Sequence, residues 1–119
     1  FFLTFWTQQA DFLELLLKAD RWGLFQRRFK TATEHRMMAK LMIDSAVTWA
    51  REYRIDSFRF DLMGHQPRLA MEELQRAVNA ATGRDVLLLG EGWNFGEVTD
   101  GARFVQASQL SLNGSGMEN

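Results

Sequence analysis

Cysteine is absent from this sequence of 119 residues, and proline and tyrosine occur once each, as Pro67 and Tyr53. The first absence excludes disulfides and thiolate metal sites, although it leaves the compartment open. Histidine is scarce, at His35 and His65 only, so no zinc site is expected; no other metal and no cofactor is expected either. No long run of one charge exists and the formal net charge is −1. Nucleic acid and anionic membrane surfaces are therefore not the expected partners. No run of about 18 apolar residues is present, so no segment is expected to span a membrane. The apolar start lacks the basic region and small-residue cleavage site of a signal peptide. Internal repeats and low-complexity tracts are missing too. What is present is 46% hydrophobic residues, the balance of a globular domain with a modest core.

Residues 1–30 carry Phe5, Phe12, Leu13, Leu16 and Leu17 at helical spacing, with Asp11, Glu14 and Lys18 between them. The expectation is an N-terminal helix packed on the rest of the chain. Residues 31–53 give the clearest helical pattern. Thr31-x-x-Glu34 reads as a capping box. Met37, Met38, Leu41, Met42, Ala46, Trp49, Ala50 and Tyr53 are the expected apolar face, the methionines serving as core filler. His35, in the first turn, is read as a surface or capping group.

Residues 55–63 alternate as a strand, Phe58, Phe60 and Leu62 to one side and Ser57, Arg59 and Asp61 to the other. Pro67 opens a second helix whose apolar face is Leu69, Met71, Leu74, Ala77, Val78 and Ala81, and Gly83 ends it. Residues 85–89 are read as a strand, apolar from Val86 onward, as a strand buried on both faces should be. Residues 99–112 are weakly periodic, an irregular loop or a short helix around Arg103-Phe104-Val105. Residues 117–119 are read as a tail.

Strand, helix and strand make a βαβ unit with parallel strands, each ending on an acid: Asp61 and Glu91. Neighbouring strands lie about 4.8 Å apart. Carboxylates at the same edge can therefore approach to about 5–5.5 Å, the separation of nucleophile and general acid/base in a retaining glycosidase. Arg59 shares a strand face with Asp61 and can pair with it. On spacing alone a plain ion pair at a sheet edge serves as well. Proton donation by Glu91 needs a raised pKa, which Trp93 and Phe95 can supply by desolvation. Glu97 lies further from the strand end and is the less favoured acid.

Phe58-Arg59-Phe60-Asp61 with His65, followed by Gly90-Glu91-Gly92-Trp93-Asn94-Phe95-Gly96-Glu97, resembles the catalytic core of the α-amylase superfamily (glycoside hydrolase family 13). The second motif resembles its pullulanase-type debranching members. The likeness covers residues 31–116 and implies the fourth and fifth strands of a (β/α)₈ barrel. It implies Asp61 as nucleophile, Glu91 as general acid/base, Arg59 as the group positioning Asp61, and His65 and Trp93 as substrate contacts. The partner implied is an α-glucan, cut at α-1,6 branch linkages. Trp93 would stack on a sugar ring, or else anchor its loop over the strand ends.

A full barrel typically needs about 250 residues, so this chain would supply about one quarter of one. The expected fold class is thus α/β, a βαβ barrel fragment with flanking helices and an N-terminal helix. The alternative function is a non-catalytic piece, whose open sheet edges and apolar faces favour association with itself or a partner. A third reading takes Gly90-x-Gly92-x-x-x-Gly96 as a dinucleotide phosphate loop. The charge of Glu91 and the bulk of Trp93 oppose it, as does the lack of a well-formed amphipathic helix after it.

Overall fold

The computed structural model describes residues 2–5, 32–95 and 98–118. Its elements are β1 (Phe2–Phe5), α1 (Arg36–Glu52), β2 (Ser57–Phe60), α2 (Arg68–Thr82) and β3 (Leu87–Gly90), with 3₁₀ turns at Met63–His65 and Thr99–Gly101. The architecture is α/β, as expected, but the sheet has three strands in the order β1-β2-β3. Both pairings are parallel: Phe2 is level with Ser57 and Phe5 with Phe60, and Ser57 with Leu87 and Phe60 with Gly90. Phe5 is thus a strand residue rather than part of a helix. The rest of the expected N-terminal helix, and Thr31 of the capping box, lie outside the described residues.

Helix α1 starts later than the capping-box pattern implies. His35 is its N-cap, with no side-chain cap hydrogen bond. Glu34 pairs instead with Arg103, and the Thr33 hydroxyl donates to the Gln66 side-chain oxygen. The buried stripe is Met42, Ala46 and Ala50, flanked by Ile43 and Val47. Met37, Leu41, Trp49 and Tyr53 are exposed, contrary to expectation. One sheet face and one neighbouring helix offer a stripe narrower than the apolar residues available. Trp49 and Tyr53 cover each other instead, with ring centroids 4.6 Å apart.

Helix α2 buries Ala70, Met71, Leu74 and Val78, while Leu69 is exposed. Pro67 is its N-cap and Gly83, at φ 65°, its left-handed C-cap. The core lies where both helices meet the sheet face carrying Phe58, Phe60 and Leu88, all fully buried. Strand β3 begins two residues later than the expected strand and is not buried on both faces, because Leu87 is exposed. Helices cover only one side of this sheet among the described residues. Met117 joins the core, and Glu118 forms a parallel bridge with Leu89, donating to the Leu88 carbonyl at 2.9 Å and accepting from Gly90 N–H at 3.0 Å.

Residues 99–112 hold only the short 3₁₀ turn, with no helix around Arg103-Phe104-Val105. They strap the two loops at the sheet's C-terminal edge: Arg68 N–H donates to Val105, Ala107 N–H to Gln66 and Gln109 N–H to Gly92.

Candidate active site

Phe60 and Gly90 are partners in the register, so Asp61 and Glu91 are the next residues out of adjacent parallel strands. Alternation puts Phe58 and Phe60 in the core and leaves Ser57 and Arg59 half-buried on the other face. Arg59 therefore rises beside both acids. Its Nη2 lies 2.8 Å from Glu91 Oε1 and its Nη1 lies 3.4 Å from Asp61 Oδ1. The expected Arg59–Asp61 pair is present, but the shorter bond goes across the strands to Glu91.

Strand β2 stops at Phe60, and Leu62 does not continue the core face as the alternation suggested. Leu62 adopts a left-handed conformation, φ 52° and ψ 39°. Its amide donates to Glu91 Oε2 at 3.2 Å. Two further bonds reach the Glu91 main chain: Gly64 N–H of the same loop donates to the Glu91 carbonyl at 2.9 Å, and Glu91 N–H donates to O of Phe60, the last residue of β2, at 3.2 Å.

Glycine is required where these loops meet. A Cβ on Gly64 would lie 2.1 Å from the Trp93 carbonyl oxygen, and one on Gly90 would lie 2.5 Å from that of Phe60. Buried Gln106 then ties both loops together, its amide nitrogen donating to Gly64 O at 3.3 Å and Trp93 O at 3.2 Å.

The Glu91 carboxyl is held below its ordinary pKa. The Leu62 amide is the largest cause, followed by hydrogen bonding to Asp61 and the charge on Arg59, with partial burial pulling the other way. This reverses the expectation of a raised value. Trp93 is 68% exposed and does not wall off Glu91. Phe95 stacks on His65 instead, with centroids 4.1 Å apart at 14°.

Of the expected site residues, Arg59, Asp61 and Glu91 converge directly. His65 sits in the 3₁₀ turn of the same loop, and Trp93 projects from the facing loop. Glu97 is outside the described residues. Sequence reasoning missed Leu62, Gly64 and Gln106. The sole glycine between β2 and α2 was a usable signal for Gly64; an apolar Leu gives none for a left-handed turn. Among the described residues no cluster of three or more His, Asp or Glu can hold a metal ion. No helix long and apolar enough to cross a membrane occurs among them.

No family model matches the chain. "Pullulanase 1, chloroplastic" of Arabidopsis thaliana is 40% identical over 94 residues, which are 73% of this chain and 10% of that protein. The chain is homologous to one segment of the pullulanases. The pullulanase of Klebsiella pneumoniae is 43% identical over 90 residues, 73% of this chain and 8% of its own length. Segments of solved pullulanase structures match about three quarters of this chain. The Klebsiella pneumoniae enzyme complexed with maltotriose matches with a TM-score of 0.67 at 41% identity, over 74% of this chain and 8% of that one. The catalytic module of the glycogen-degrading pneumococcal virulence factor SpuA matches at 0.63 and 31% identity, over 71% and 12%. This chain thus spans about a tenth of the length of the curated pullulanases it matches.

Proposed function

We propose that this chain is the segment of an α-glucan debranching hydrolase that carries its reacting carboxylates. The observation that supports this most is the convergence of Asp61 and Glu91 on one guanidinium, at the ends of adjacent parallel strands. In this reading β2 and β3 are the fourth and fifth strands of a (β/α)₈ barrel, and β1 takes the third place. Active sites of that fold lie at the C-terminal ends of the strands.

The chemistry follows from two carboxyl groups in different roles. The Asp61 carboxylate attacks the anomeric carbon of an α-1,6-linked glucose. The glycosidic C–O bond breaks, and Glu91 gives its proton to the leaving oxygen. Glu91, now a carboxylate, takes a proton from water. That water displaces Asp61 from the anomeric carbon, giving net retention. Arg59 keeps both acids in place, while His65 and Trp93 contact the sugar. The lowered pKa of Glu91 favours the base half of this cycle. Proton donation requires surroundings that raise it, such as bound sugar and the remaining barrel displacing water.

Exchange of residues 31–116 into the Klebsiella pneumoniae pullulanase tests the reading. The chimera is expected to hydrolyse pullulan with retention, and to lose activity by several orders of magnitude as Asp61→Asn or Glu91→Gln. A folded chimera whose hydrolysis ignores both substitutions would reject it.

A second reading has its own support. Met37, Leu69 and Leu110 are each more than 70% exposed, and the sheet face bearing Leu87 has no covering helix among the described residues. Taken alone, the chain is then an inactive piece that associates through these surfaces. Sedimentation across a range of concentrations, which would reveal self-association, tests it.

A further inference from the structure

The end of β2 and the loop after it hold Glu91 at three points, one from the strand and two from the loop. Phe60 O accepts from the Glu91 amide, Gly64 N–H donates to the Glu91 carbonyl, and Leu62 N–H donates to the Glu91 carboxylate. One short loop thus fixes both the main chain and the side chain of the acid. The geometry depends on Leu62. Rotation about its φ sets how the chain leaves that amide. At φ 52° the chain turns back, so that Gly64 N–H reaches Glu91 O while Leu62 N–H stays on Oε2. A left-handed leucine is disfavoured by contact between its Cβ and the backbone. Strain of this kind is characteristic of functional loops.

We infer that Leu62 is a positioning residue whose backbone amide fixes where the Glu91 carboxylate points. This rests on the reading of Glu91 as the general acid/base. Oε1 is taken by Arg59 and Oε2 by the amide, so the side chain is anchored at both oxygens. An amide N–H can only donate, and therefore favours the charged carboxylate over the acid. The direction of the Glu91 shift, with the Leu62 amide as its first cause, agrees. The leucine side chain is not what acts; the backbone donor is.

The test replaces Leu62 by its α-hydroxy acid, which turns the N–H into an ester oxygen and leaves the side chain intact. The Glu91 side-chain carboxyl carbon is followed by ¹³C NMR during acid titration of the full chain. The ester is expected to move the Glu91 midpoint upward. Leu62→Gly, which enters the left-handed region freely, is expected to leave it in place. Leu62→Val, a β-branched residue averse to positive φ, is expected to raise it. An ester or Val protein with the wild-type midpoint would overturn the inference. The titration needs no catalysis. A shifted midpoint, together with full hydrolysis by the Glu91→Gln chimera, would uphold the positioning and reject the acid/base role.

Discussion

Arg59 reaches across from β2 to hold Glu91 at 2.8 Å, closer than it holds Asp61 on its own strand. The guanidinium is the cation joining two acids that would otherwise repel. Arg59→Met should therefore raise the Glu91 titration midpoint, because a favourable charge is lost while the neighbouring acid remains. All three side chains keep solvent contact, so the loss of stability at neutral pH should be about 1 kcal/mol. Urea unfolding near neutrality and again in acid checks this. The difference between wild type and variant should shrink in acid, where Glu91 is protonated.

Acidification alone should weaken the fold. Glu91 titrates in the folded chain below its ordinary value of 4.5, so the unfolded chain takes up that proton first. The stabilising contribution is complete above that value and is lost as pH falls through the folded midpoint below it. Melting temperature measured down this range should fall more steeply in the wild type than in Glu91→Gln. Parallel curves would contradict the bonding seen at Glu91.

Alanine at three glycines should rank by cause. At Gly64 the added methyl meets the Trp93 carbonyl at 2.1 Å and Phe95 Cδ2 at 2.9 Å. The cost should be about 2–3 kcal/mol, with the loop displaced. At Gly83 nothing lies within 4 Å, and only the positive φ of 65° is penalised, by about 1 kcal/mol. Gly90→Ala should resemble Gly64→Ala, because Phe60 O lies 2.5 Å away. Chemical denaturation of the three variants checks the order.

Gln106→Leu should cost about 1–2 kcal/mol, since the carbonyls of Gly64 and Trp93 both lose a buried donor. Faster amide exchange should appear in the Trp93 loop and the Gly64 turn together. Acceleration of one without the other would show that Gln106 does not couple them.

The two acids and their arginine were legible in the sequence because each rests on a local rule. Alternation puts Arg59 and Asp61 on one side of a strand, and the apolar run of the second strand likewise ends on an acid, Glu91. The environment of Glu91 was not legible. It turns on a left-handed Leu62, a conformation that a glycine there would have signalled. Strand β1 was hidden because Phe5 also fits the helical spacing of the residues after it. The exposure of Met37, Leu41 and Leu69 was unreadable for another reason. Periodicity marks which residues are apolar, not how much surface the neighbouring elements can cover.

We propose this edge of the sheet as part of an α-glucan cleft. The most direct measurement is a ¹H–¹⁵N correlation spectrum of the labelled chain, recorded during titration with a branched maltooligosaccharide. Dispersed signals are expected, with the Trp93 indole and the amides of Asp61, His65 and Glu91 shifting together in a saturable way. A dispersed spectrum in which these signals ignore the sugar would contradict it.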